Sequence, residues 1–185
     1  MISWESLVSS VFLAFLGFAL RRAYTSYIAR RRFAIALLTE ITVLLRLYSY
    51  KRKEGPPFQL IEKKAKDGTT NYVRGKMLVT ESFLIIYDHN SDKLGLFDKK
   101  TIEALVQLYA MIRGHICSIK TWNEEFQTYS ETEREEIQRY AGVLQKEYET
   151  VEIQVSGVKK ILEKIISESF KCYLWRELCK FFKDI

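Results

Sequence analysis

The sequence predicts a mainly α protein: an N-terminal transmembrane helix, then a four-helix bundle carrying a small β-hairpin insertion. Three observations predict it. Residues 2–20 are almost wholly apolar and lead directly into a cluster of arginines. The only two prolines are adjacent, at Pro56 and Pro57, so the chain on either side lacks the residue that removes a backbone donor and clashes in a helix interior. Apolar residues recur at alternating spacings of three and four through 102–119 and again through 137–165, the period of one helix face.

The first element is the anchor, residues 1–32. As a helix, Ile2–Leu20 spans about 28 Å, close to the hydrocarbon thickness of a bilayer. Trp4, Leu7, Val11, Phe12, Phe15 and Phe18 form its apolar body, and Glu5 is its one charge. Tyr24 and Tyr27 follow at the level where amphipathic aromatics favour headgroups. Arg21, Arg22, Arg30, Arg31 and Arg32 then place five arginines within twelve residues. That asymmetry predicts a single pass, with the N-terminus outside and residues 33–185 cytoplasmic. A secretory signal fits less well, because its positive charge precedes the apolar run and a small-residue cleavage site follows. A buried core helix is the stronger rival, since the strictly apolar run, 7–20, is short for a span.

The body starts with an amphipathic helix. Phe33, Leu37, Leu38, Ile41, Leu44, Leu45 and Tyr48 share one broad face; Arg32, Thr39, Glu40, Thr42, Arg46 and Ser49 gather on the other. With no breaker between it and the anchor, the two predict one rod of about 48 residues and some 70 Å. Gly55-Pro56-Pro57 ends it. An insertion over about 58–78 reads as a β-hairpin with Asp67-Gly68 at its turn. Phe83–Tyr87 is a short apolar run, helix or buried strand, and Asp88–Asp92 reads as a turn. That turn lacks the glycine and bidentate glutamate of a calcium loop.

Asp98 suits the N-cap of a helix whose seam is Ile102, Leu105, Tyr109, Ile112, Ile116 and Ile119. Ser130 and Glu133 have the spacing of a capping box. The helix they open carries the longest seam: Ile137, Ala141, Leu144, Tyr148, Val151, Val155, Val158, Leu162 and Ile165, with Gly157 marking a candidate bend or a break between two shorter helices. Such a seam packs helix on helix, and its Leu144–Leu162 stretch serves either the bundle or an oligomer. The terminal aromatics Phe170, Tyr173, Trp175, Phe181 and Phe182 suit core packing or contact with membrane or another subunit.

Charge is divided. Residues 1–53 hold nine Lys/Arg and two Glu; residues 54–185 hold 20 Lys/Arg and 21 Asp/Glu. The basic excess thus lies beside the anchor, where lipid or topology explains it, and no direct nucleic-acid binding is expected of the body. Cys117, Cys172 and Cys179 form no C-x-x-C pair and read as reduced, mostly buried thiols. No phosphate-binding loop, nucleophile elbow or metal-ligand spacing occurs, so no cofactor, metal or catalytic residue is expected. His89 reads as a surface residue and His115 as an interior or interface one.

The layout of short anchor, helical body and β insertion, with Phe83-Leu-Ile-Ile-Tyr-Asp-His-Asn-Ser-Asp-Lys-Leu-Gly-Leu-Phe97 followed by Ile102 and Tyr109, resembles the membrane-anchored accessory proteins of type VI-B CRISPR systems. The resemblance covers the whole chain in architecture and is specific over about residues 83–113. It implies a divergent HEPN-like bundle that assembles as a ring in the inner membrane, accompanies an RNA-guided effector, and strengthens antiphage defence by compromising the membrane. The R-x4–6-H motif of HEPN ribonucleases is missing here, because Arg113 and His115 are only two apart. The expected function is therefore non-enzymatic: a homo-oligomeric, pore-like protein in the bilayer. The alternatives are a membrane-tethered adaptor without channel activity and a HEPN-type ribonuclease with a non-standard site.

Overall fold

The computed structural model describes residues 4–52, 60–64, 70–74, 84–125 and 134–183. The first helix, α1, runs unbroken from Trp4 to Arg52, 49 residues. It passes straight through the boundary expected at 32–33. Burial begins earlier than that boundary, at Tyr27, because one face of α1 is already packed there.

Strands β1, Leu60–Lys64, and β2, Thr70–Arg74, pair antiparallel with Leu60 opposite Arg74 and Lys64 opposite Thr70. Asp67-Gly68, Gly55-Pro56-Pro57 and the capping box at 130–133 lie outside the described residues. The apolar run near 85 resolves as helix: α2 spans Ile85–His89, and a 3-10 helix covers Ser91–Leu96. The turn expected at Asp88–Asp92 is thus mostly helical. Its start is set by Glu40 of α1, whose carboxylate accepts the backbone N–H of Ile86 at 2.7 Å and of Tyr87 at 3.4 Å. These are the donors that a helix N-terminus leaves without an internal partner.

Helix α3, Lys99–Glu125, begins where Asp98 Oδ1 accepts the Thr101 N–H at 3.0 Å and its hydroxyl at 3.1 Å. Helix α4 runs from Arg134 to Ser167 without interruption at Gly157. The break into two shorter helices expected there does not occur. A glycine costs a helix about 1 kcal/mol against alanine, and burial of Val155 and Val158 on either side outweighs it. Helix α5 is Phe170–Lys183.

Three long helices make the body. The lower half of α1 packs along α4, and α3 packs along α4 as an αα-hairpin. The main core joins Phe33, Leu37, Ile41 and Leu44 of α1 to Leu105, Leu108, Ile112 and Ile116 of α3 and Val151, Val155, Val158 and Leu162 of α4. Farther along the hairpin, Ile119 and Trp122 meet Ile137, Ala141, Leu144 and Tyr148 in a second cluster. All nine seam residues of α4 are therefore buried within one chain. The fourth helix of the expected bundle behaves differently. α5 packs on α1 around Tyr24–Arg30, at the top of the body, and Tyr173 is its one buried residue among those described.

Candidate functional site

The site is built where α1 leaves the core. Above it, Leu7, Val11, Phe12, Phe15 and Phe18 stand in the open, Phe12 at 64% and Phe15 at 70% exposure. Trp4, at 78%, is equally bare. This stretch belongs to a segment long and apolar enough to cross a membrane, and its apolar window is not buried by any other part of the chain.

Directly below sits a collar of aromatic and charged side chains. Tyr24 meets Phe170 edge-on with ring centroids 5.3 Å apart, and Tyr27 lies 5.4 Å from Phe170 and 5.5 Å from Tyr173. Tyr27 donates its hydroxyl to the Glu168 carbonyl at 2.7 Å, and Tyr173 donates to Ser26 Oγ at 3.2 Å. Glu168, between α4 and α5, takes two guanidiniums: Arg30 donates to Oε2 at 2.7 Å and Arg176 donates to Oε1. Both guanidiniums also lie over the Tyr173 ring, at 5.8 and 5.3 Å. Two cations on one carboxylate leave a net positive charge, and the π face of Tyr173 helps to hold both.

The five arginines assigned to topology and lipid therefore divide. Arg21, Arg22, Arg31 and Arg32 are exposed. Arg30 is buried in the ion pair, with its side chain only 6% exposed, so it fastens α1 to the α4–α5 junction. The reason is helical phase. Tyr27, Arg30, Phe33, Ala34, Leu37, Ile41 and Leu44 form one stripe, and Arg30 falls inside it.

Glu40 lies in the same stripe, and its placement on a polar face is corrected. It is buried, and Tyr109 donates to its Oε2 at 2.6 Å. Burial, reinforced by the Glu40 carboxylate, pushes the Tyr109 hydroxyl far above its ordinary pKa. Tyr87 stacks on Tyr109 at 3.8 Å. The three cysteines are also corrected: all are exposed, because each falls off its helix's packed face. Of the terminal aromatics, Trp175 and Phe182 are exposed and Phe170 is half-buried, since α5 offers the body only the Tyr173 side.

The histidines lie elsewhere. His89 is exposed, with Nδ1 on the Ile85 carbonyl at 3.1 Å. His115 is buried beside a shallow groove between α3 and α4, and its Nδ1 donates to Glu147 Oε2 at 3.1 Å. Burial lowers its pKa, and the Glu147 carboxylate opposes that shift without cancelling it. Ser118 donates to the same carboxylate at 3.4 Å and to the Gly114 carbonyl at 3.2 Å. The hydroxyl proton is thus directed to oxygens. This arrangement ties α3 to α4. Among the described residues no three of His, Cys, Asp and Glu gather as a metal site.

Sequence reasoning missed Glu168 and Arg176, which are brought to Arg30 only by the fold. It had a signal for Arg30, since extending the Phe33–Leu44 seam upstream reaches Arg30 and Tyr27 at steps of three. No protein-family model, curated protein or solved structure matches this chain.

Proposed function

We propose that the protein is a single-pass, inner-membrane tether: α1 crosses the bilayer with its N-terminus outside and holds the helical body against the cytoplasmic face. One observation carries this reading. The same continuous helix leaves its residues 7–20 exposed and buries one face of 27–44, so the upper half needs an apolar surround that the body does not supply. The four exposed arginines follow at the headgroup level, on the side that the positive-inside rule assigns to the cytoplasm.

On this reading the protein is a membrane-tethered adaptor that presents its α3–α4 hairpin to a cytoplasmic partner, and the bilayer is its first ligand. The pore-like, homo-oligomeric reading rests on the type VI-B resemblance, which also supplies antiphage defence and a CRISPR effector as partner. Oligomerisation would not run through the α4 seam, because the chain itself fills it; the exposed span and α5 are open to it.

Flotation with vesicles of phosphatidylethanolamine and phosphatidylglycerol tests the tether. The intact protein is expected to float and to resist alkaline carbonate. Phe12→Arg should reduce insertion, since an arginine at a span's centre costs about 2.5–3.5 kcal/mol. Release of the wild type by carbonate would sink the reading. Ion flux from the same vesicles would favour the pore over the adaptor.

A further inference from the structure

Helix α5 carries an exposed apolar face with a lysine in it. Trp175 is 70% exposed, Phe182 71% and Leu178 43%. At ~100° per residue these three fall within one arc of about 60°. Exposed Lys171 lies within that arc, one turn before Trp175, whereas Lys180 and Arg176 lie across the helix on the Tyr173 side, paired with Glu177 and Glu168. A solvated surface helix has no need of a tryptophan, a leucine and a phenylalanine in one open stripe.

The contacts of α5 also fix which way that stripe points. Phe170 meets Tyr24 and Tyr27, whereas Tyr173 meets Ser26, Tyr27 and Arg30, and Arg176 meets the Glu168 that Arg30 also holds, so the contacts step down α1 from Phe170 to Tyr173 and Arg176. Going round the helix, the order is Arg176, Tyr173, Phe170, then the Leu178–Phe182–Trp175 arc. The open apolar arc therefore continues on the Phe170 side, toward the apolar half of α1. Height agrees with direction. Tyr24 and Tyr27 lie three to six residues past Arg21, about 5–9 Å along the helix axis. The headgroup layer on one side of a bilayer is roughly 5–8 Å thick.

We propose that α5 is an in-plane membrane helix: its Trp175–Leu178–Phe182 face lies in the headgroup and upper acyl layer of the bilayer that α1 crosses, with Lys171 on anionic headgroups. The occupant is lipid because the face is continuous in height with the exposed end of α1 and holds Lys171 within it, a pairing of apolar and cationic side chains that suits an anionic surface. Two attachments would fix the tilt of the body on the membrane, which a single span does not. The inference rests on α1 spanning the bilayer.

The test places an environment-sensitive fluorophore at Trp175→Cys in a chain carrying Cys117→Ser, Cys172→Ser and Cys179→Ser. The labelled protein is reconstituted at one copy per nanodisc of phosphatidylethanolamine and phosphatidylglycerol. A second label at Ile153→Cys, an exposed position on α4, reports the aqueous side. The Trp175→Cys probe is expected to emit blue-shifted light and to resist iodide at least several-fold better than the Ile153→Cys probe. Replacing phosphatidylglycerol by phosphatidylcholine should weaken that protection. Equal iodide access at both positions in a carbonate-resistant protein overturns the inference and leaves the tether standing. Protection that appears only with several copies per disc overturns it in favour of contact between copies. Failure to remain with the disc after carbonate removes the tether itself.

Discussion

The two halves of α1 share one helix and solve opposite problems. From Leu7 to Arg22 no residue is buried; from Tyr27 to Leu44 one face is sealed by α3, α4 and α5. Composition alone barely separates the halves, since both are rich in Leu, Ile, Val, Phe and Ala. Periodicity separates them. Below Tyr27 apolar residues alternate with polar ones at helical spacing, and above Arg22 they surround the helix. A helix apolar all round calls for an all-round apolar medium, and a striped one calls for a partner on one side.

The largest expected effect compares equivalent truncations in the two halves. Leu37→Ala removes a fully buried side chain from the main core and should destabilise the body by about 2–5 kcal/mol. Leu13→Ala, at a site 64% exposed, should change the body's stability by less than about 0.5 kcal/mol. Chemical denaturation in detergent reads both. Equal losses would mean that the upper half packs on something within the protein, which would break the comparison.

A second pair sharpens the boundary between the halves. Arg30→Ala leaves Glu168 with Arg176 alone and removes one cation from the Tyr173 face. The expected loss is about 1–3 kcal/mol, the range for a partly buried charged group stripped of a partner. Arg31→Ala removes an exposed neighbour and should cost under about 0.5 kcal/mol. The same pair should separate in proteolysis at the α4–α5 junction, where only Arg30→Ala speeds cleavage. If Arg31→Ala proved as damaging, the assignment of Arg30 as the fastening arginine would fall.

Much of this was legible in the sequence, and the parts that were not have a common cause. The rod, the α3 and α4 seams and the Asp98 cap follow from spacing, because helical phase is a local property. Glu40 and Arg30 were misplaced because their charge outweighed their phase: three residues after Leu37 and three before Phe33, both lie on the packed stripe. Tertiary partners, Tyr109 for Glu40 and Glu168 for Arg30, make those positions tolerable, and partners distant in sequence leave no mark on local spacing. The exposed cysteines reflect the same limit. A thiol is buried as readily as a methyl group, so composition places it inside, whereas at 117, 172 and 179 the packed stripe passes elsewhere.

The smallest expected effect is pH dependence, and it too divides the halves. The upper half of α1 holds no histidine and one carboxylate, Glu5, so mild acid should leave its hold on lipid unchanged. The body holds His115, whose folded pKa lies below the ordinary value because burial disfavours the imidazolium. A base with a depressed folded pKa is protonated more readily in the unfolded chain. Its contribution to stability is therefore fully present above the unfolded pKa, about 6.5, and is lost as pH falls from there toward the folded value. Between pH 7 and 5 the body should lose stability to denaturant while flotation with vesicles stays constant. His115→Gln should flatten the fall across that window, and Glu147→Gln, which removes the carboxylate favouring the imidazolium, should steepen it. A fall of equal slope in His115→Gln would assign the acid sensitivity to another group.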